Sequence, residues 1–307
     1  MSLYQCHTGL NITGDKLQLV EIEYKDEGLL LSNIGEEYFD EYPDPFGKET
    51  KFNSLLQKAF DEIILRKPLK SNFVSFSLPY YFFKILELPF DHSLIRTDLI
   101  DQFKWELATL YPYEADEKFL TQHIDLSSCK ESGSKNALLI SAQKKQLKII
   151  HKFCVRNNLQ LKYADYTHIA ANNLIQLMRK SENGGNFISL YISDRYYSFA
   201  YYCDNVPVFF DIKRLGSISE IIGAVSVSFD KLKRHSFSPD KAEGYFLSGT
   251  DVSESLAEQL KENSGIEFRL LNPAGEAIAI DENIKDAFNK KEFHSFAAPA
   301  GMALRLI

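Results

Sequence analysis

Two short turns carry the backbone best suited to chemistry in this sequence, Thr13-Gly14-Asp15 and Ser193-Asp194-Arg195. Each joins two short runs that read as antiparallel strands, the pattern of a tight hairpin. The N–H groups of such a turn converge, and two turns facing across a cleft can hold a polyphosphate between them. Gly14 is expected to take positive φ, which glycine adopts at no steric cost. Other familiar chemistry is missing. Neither common glycine-rich nucleotide loop, nor a paired-histidine zinc helix, nor a serine nucleophile elbow occurs. The seven histidines (positions 7, 92, 123, 151, 168, 235 and 294) never fall three or four apart. No helix face therefore presents two of them to a metal, and each reads as a solvated or hydrogen-bonded side chain. A conventional metalloenzyme or serine hydrolase is not supported, and no metal site is expected.

The elements that must position those turns belong to a chain of 307 residues. That exceeds the roughly 250–300 at which one core stops growing, so two domains are expected. Hydrophobic residues at 45% and charged residues at 25% are those of a globular protein. The formal charge of 35 − 42 = −7 argues against nucleic acid as a partner. The basic clusters Lys144-Lys145 and Lys231-Leu232-Lys233-Arg234 read as solvated helix faces. The first residues lack a signal-peptide pattern, and no apolar run approaches the ~20 residues of a membrane span. Cys6, Cys129, Cys154 and Cys203 are scattered without a C-x-x-C pair, and are expected as reduced, buried thiols in cytoplasm.

The order of elements repeats. Leu3 to Ile12, Lys16 to Tyr24 and Gly28 to Ile34 read as three strands. A helix follows with Leu55, Leu56, Ala59, Phe60, Ile63 and Ile64 on one stripe, then a strand at Phe73 to Ser77. After Gly184-Gly185 come strands at Phe187 to Ile192, Tyr196 to Cys203 and Val206 to Ile212, a helix from about Ser219 to Lys233, and a strand at Gly244 to Ser248. This is a duplicated βββαβ unit. Between the copies, strands at Tyr81–Leu88, Phe119–Leu126 and Ala137–Ala142 alternate with helices at Thr97–Leu110 and Lys145–Asn157, an α+β module. A helix at Thr167 to Arg179 returns the chain to the first domain, and a last helix from Ala298 to Leu306 is expected to pack there.

Several stretches carry a family resemblance. They are Leu78-Pro79 with Phe83-Lys84-Ile85-Leu86-Glu87-Leu88-Pro89, Phe103-Lys104-Trp105-Glu106-Leu107-Ala108 with Tyr111-Pro112, and Ala137-Leu138-Leu139-Ile140-Ser141-Ala142-Gln143-Lys144. Phe246-Leu247-Ser248-Gly249, Leu271-Asn272-Pro273 and Pro299-Ala300-Gly301-Met302-Ala303-Leu304-Arg305 complete the set. In this order the sequence resembles PilM, the actin-like protein of type IV pilus assembly. More distantly it resembles the cell-division protein FtsA and the cytoplasmic part of the type II secretion protein GspL.

The resemblance implies an α/β fold of the actin-like ATPase (ribonuclease H-like) type with an inserted α+β subdomain. Residues 1–75, 160–185 and 295–307 would form the first actin-like domain, 76–159 the inserted subdomain, and 186–294 the second domain. It implies a cytoplasmic scaffold recruited to the inner face of the inner membrane, where it grips the short cytoplasmic tail of an assembly protein. No nucleic-acid partner and no membrane insertion of its own are expected, and homo-oligomerisation is left open. The family's peptide groove would lie between first domain and module, with Phe73, Phe76, Tyr80, Tyr81 and Phe83 as its aromatic surface and Trp105 at the adjoining seam.

The family binds ATP in the interdomain cleft with two D-x-G hairpins and an L-x-G-G adenosine loop. This sequence departs from that pattern at all three places. Asn11-Ile12-Thr13 and Tyr191-Ile192-Ser193 replace the hairpin motifs, and Ser248-Gly249-Thr250 keeps one glycine of two. Asp15 and Asp194 sit near the turns but outside the strand positions that aim a side chain into the cleft. The vestigial nucleotide contacts are then Thr13, Gly14, Lys16, Ser193, Asp194, Ser248, Gly249 and Thr250. No catalytic residue is assigned, and Mg-ATP is expected to bind weakly or not at all. The alternative is a slow ATPase of the same fold that uses ATP to regulate pilus assembly. A small-molecule kinase fits poorly, because its phosphate hairpins would have to be intact.

Overall fold

Alternating apolar positions give the first meander: β1 (Cys6–Ile12) pairs antiparallel with β2 (Lys16–Lys25), and β2 with β3 (Gly28–Tyr38). The computed structural model describes residues 6–26, 28–91, 93–114, 118–126, 136–179, 185–204, 206–235, 237–272, 278–289 and 292–305. Helix α1 (Glu49–Arg66) buries Phe52, Leu55, Leu56, Ala59, Phe60 and Ile63, the stripe its periodicity requires. The chain then crosses over to β4 (Phe73–Leu78), parallel to β1.

The module follows. Strands β5 (Phe83–Pro89), β6 (Phe119–Asp125) and β7 (Asn136–Gln143) form an antiparallel sheet of order β5-β7-β6. Helix α2 (Arg96–Leu110) covers it with Leu99, Phe103 and Leu107 against Leu88, Ala137 and Leu139. Helix α3 (Lys144–Arg156) does not join this module. Its Phe153 meets Phe60 of α1 and Phe76 of β4 edge-to-face, at 5.4 and 6.1 Å, and Gln57 and Asn157 exchange side-chain hydrogen bonds. Strand β8 (Gln160–Tyr166), absent from the sequence reading, then pairs parallel to β4. The segment expected as one insertion, 76–159, is thus divided between two sheets. Residues 76–78 end β4 and α3 is a crossover helix of the first sheet, so the separate three-stranded sheet occupies 83–143.

Helix α4 (Thr167–Arg179) leads to the second meander, β9 (Phe187–Ser193), β10 (Tyr196–Cys203) and β11 (Val206–Arg214). After α5 (Ile221–Arg234) comes β12 (Gly244–Ser248), parallel to β9 as β4 is to β1. Helix α6 (Glu254–Ser264) and β13 (Arg269–Leu270) complete the second sheet. Ser253 caps α6 by accepting the N–H of Leu256, and Gly265 ends it at φ 70°. Strand β14 (Ala279–Ile280) pairs with β3, and α7 (Lys285–Asn289) and α8 (Ala297–Ala303) follow. The two large sheets run β14-β3-β2-β1-β4-β8 and β11-β10-β9-β12-β13.

Helices α1 and α3 cover one face of the first sheet, and α5 and α6 one face of the second. Between the sheets lies a shared core in which α4 and α8 pack with Val20, Ile22, Leu31, Phe187, Tyr191 and Tyr202. The crossing is close. A Cβ on Gly301 would stand 1.8 Å from the carbonyl oxygen of Ala170, and one on Gly9 would stand 1.8 Å from that of Pro299. Only bare glycine backbone permits this approach.

Cys6 and Cys154 are free and buried. Cys203 is disulfide-bonded, against the expectation that all four thiols are reduced. Spacing along the chain says little about which cysteines meet in space. Cys129 and His92 lie outside the described residues. No helix among the described residues is long and apolar enough to cross a membrane.

Candidate functional site

The parallel placement of β1 and β9 at the middle of the two sheets brings their hairpin turns together, as the duplication requires. They meet directly. The N–H of Gly14 donates to Oδ1 of Asp194 at 2.7 Å, bonding one domain to the other. The other N–H groups of the first turn are satisfied within it. Thr13 N–H donates to the carbonyl of Lys16 at 2.9 Å, and Lys16 N–H donates to Thr13 Oγ1 at 3.0 Å. Thr13 Oγ1 itself lies 2.7 Å from Asp15 Oδ1 and 3.0 Å from the Lys16 carbonyl. The Lys16 ammonium pairs with Glu36 at 3.1 Å and lies 5.2 Å from the Tyr38 ring centroid.

The second turn is bound to the third. Asp194 and Arg195 take φ 56° and 60°, the left-handed pair that a two-residue hairpin uses. Arg195 N–H donates to Asp251 Oδ2 at 3.2 Å, and Asp251 N–H to the Ile192 carbonyl at 3.1 Å. The hydroxyls of Ser193 and Thr250 are 2.7 Å apart. Gly249, at φ 124°, donates its N–H to the carbonyl of His294, and a Cβ there would stand 2.0 Å from Ile192 O.

Two expectations are corrected here. Gly14 is not among the positive-φ residues. It lacks a side chain for a different reason: a Cβ would lie 2.7 Å from Asp194 Oδ1. Asp194 does aim into the cleft, because the left-handed turn swings its side chain toward the first domain. Sequence position alone hid this; the pair Asp194-Arg195 at a two-residue turn was the available signal.

The strand positions that would hold carboxylates for a metal carry other chemistry. Asn11, fully buried, donates to Gln18 at 2.9 Å and accepts from Ser77 at 2.9 Å. Tyr191 is buried and stacks on His168, with ring centroids 5.8 Å apart. His168 is held between the hydroxyls of Ser198 and Ser189, and burial pushes its pKa down to about 3. It is a neutral core histidine, like His7, which contacts Ser75 and the carbonyl of Ala303. No group of three or more His, Cys, Asp or Glu side chains among the described residues could hold a metal ion.

The electrostatics of the junction oppose an anion. Burial first, with Asp251 and Asp15 adding to it against the Gly14 N–H, raises the Asp194 carboxyl to about 6. Burial likewise raises that of Asp251. Asp194 Oδ2 is buried without a hydrogen-bond partner. The space among Tyr80, Tyr166, Tyr191, Ser193, Asp194 and Tyr196 is about 10 Å³. That is roughly the room one water requires. A triphosphate with its metal does not fit this arrangement: the N–H groups of Gly14, Arg195 and Asp251 are already bonded, and the carboxyls of Asp15, Asp194 and Asp251 gather there.

The expected aromatic groove is not one surface. Phe76 is fully buried, and Phe82 and Phe83 belong to the same core, so they join the first sheet to the module. Phe73, at the other end of β4, faces an open groove with Leu69 and Lys70. Trp105 is 64% exposed on the outward side of α2, away from the seam. Tyr80 and Tyr81 do lie at the junction. Tyr80 contacts Tyr196 of the second domain at 5.2 Å, and Tyr81 contacts the exposed Tyr42 at 6.2 Å.

Two meanders of one order, a helix-covered sheet behind each and two helices between them define an actin-like ATPase fold. A solved structure described as the PilM–PilN type IV pilus biogenesis complex matches at TM-score 0.75 and 16% identity, covering 98% of both chains. A Bacteroides thetaiotaomicron protein of unknown function with an actin-like ATPase fold matches at TM-score 0.50 and 11% identity, covering 96% of both chains. The cytoplasmic domain of EpsL, an inner-membrane component of the Vibrio cholerae type II secretion system, matches at TM-score 0.45 and 8% identity, over 87% of this chain and 98% of that one. No protein-family model and no curated protein matches the sequence.

Proposed function

We propose that this protein is a cytoplasmic actin-like scaffold of a type IV pilus or related secretion machine, in which nucleotide binding is weak or lost. It reaches the inner membrane by binding the cytoplasmic tail of an assembly protein there. The likeness to the PilM–PilN structure across 98% of both chains supports the machine and the kind of partner. The observation that carries the scaffold reading is the direct bond between the two hairpins, Gly14 to Asp194, where an ATPase needs free donors.

The partner's anchor side chains would dock where aromatic surface remains at the domain junction, around Tyr80, Tyr81 and Tyr42. Buried Phe76 and Phe83 support that surface from behind. Calorimetric titration with Mg-ATP and with the cytoplasmic tail peptide of a PilN-type inner-membrane protein tests both parts. Tail binding that weakens in Tyr80→Ala, with no heat from Mg-ATP, is expected. Micromolar Mg-ATP affinity with measurable turnover, or no binding of the tail, would overturn the reading.

A further inference from the structure

We propose that Asp194 is an interdomain clasp: its carboxylate stands at the mouth of the first hairpin in the place of a phosphate and closes the cleft from within. The clasp does not depend on which machine or partner the protein serves. Gly14 N–H to Asp194 Oδ1, at 2.7 Å, is the contact an anionic ligand would make with this turn. The missing Cβ of Gly14 is the space that admits the carboxylate. On the second domain the clasp is rigidly mounted, since Asp251, Thr250 and the Ile192 carbonyl hold the turn that carries it.

Every element around the carboxylate contributes a group that feels its charge. Asp15 and Lys16 come from the first hairpin, with Lys16 paired to Glu36. Asp251 comes from the turn after β12, Tyr42 and Tyr81 from the first domain, and Tyr191 from β9. Two like charges and a buried, unpartnered Oδ2 make the closed cleft costly for the ionised form. Closure therefore takes up a proton. The clasp tightens in acid and loosens as the pH rises through about 6.

Amide hydrogen exchange of the ligand-free protein reads this at one atom, because the Gly14 N–H exchanges only when its bond to Asp194 opens. Protection of Gly14, corrected for the intrinsic rate, should fall about tenfold between pH 5 and pH 8. Asp194→Asn should keep protection and lose most of that pH dependence. Asp194→Ala should bring Gly14 close to the free-peptide rate at every pH, while Leu10 in β1 stays protected as the control for folding. A Gly14 amide that exchanges freely in the wild type, or an unchanged pH dependence in Asp194→Asn, would overturn the clasp. No nucleotide enters the experiment, so its failure is separate from failure of the functional reading.

Discussion

Replacing Asp194 by Asn should stabilise the whole protein at neutral pH, although it touches a bond between the domains. The folded carboxyl is raised from 3.8 to about 6, chiefly by burial, with Asp251 and Asp15 adding to it. A group raised on folding contributes stability that is full below its unfolded value and is lost as the pH climbs through its folded one. At about 1.4 kcal/mol per unit, ionised Asp194 costs the fold at most about 3 kcal/mol at pH 8. About half of that is already present at pH 5 on the same linkage. Asparagine has the same shape, keeps an oxygen for the Gly14 N–H and brings no charge into the buried site. Urea unfolding at pH 5 and pH 8 checks this. The advantage of Asp194→Asn over wild type should grow by about 1.4 kcal/mol between the two, with an unchanged slope. An advantage that shrinks as pH rises, or a variant less stable at both values, would refute the electrostatic reasoning.

Other substitutions separate core from surface. Gly301→Ala should destabilise by about 3 kcal/mol or more, read as a lower urea midpoint, because a Cβ at 1.8 Å from Ala170 O forces α4 and α8 apart. Phe76→Ala should cost about 3–5 kcal/mol, since its ring is fully buried against Phe153, whereas exposed Trp105→Ala should stay within about 0.5 kcal/mol. His168→Phe tests the neutral state of that histidine: its pKa is about 3 in the fold against 6.5 in the unfolded chain, so wild-type stability should fall by about 2 kcal/mol more than the variant's between pH 8 and pH 5, as the unfolded chain alone takes up the proton.

Much of the fold was legible because it is built from period. The alternation in β1 and β2, the short apolar runs of β9 and β10 and the stripes of α1 and α5 are local patterns, and each formed near its expected bounds. Strand β8 was hidden because Gln160, Lys162 and Asp165 break its apolar run. Helix α6 was missed although Ser253 and Gly265 mark its two ends; the mixed charge between them conceals a stripe of only Leu256 and Leu260. The aromatic cluster from Phe73 to Phe83 could be seen in the sequence, but not its sorting into core and surface. That sorting depends on α3, whose Phe153 fills the space beside Phe76. Pairing of Gly14 with Asp194 lies beyond local pattern altogether, since it joins turns of two different sheets.

The junction explains why the residues of the turns belong together. One N–H cannot serve an aspartate and a phosphate at once, so an anion entering the cleft must first displace Asp194 from Gly14. It would then face Asp15 and Asp251 with Lys16 committed to Glu36. Asn11 and Tyr191 provide no carboxylate to bring a compensating metal, and both side chains are packed into the strands behind the turns. The features are mutually consistent: without a metal a phosphate would be unshielded, and without a phosphate the turn donors need another acceptor. Asp194 is that acceptor, and it makes the closed cleft a property of the chain itself. Opening must then be driven by protons leaving the junction, or by force applied from outside it through the elements that bridge the domains, α4, α8 and the contact of Tyr80 with Tyr196.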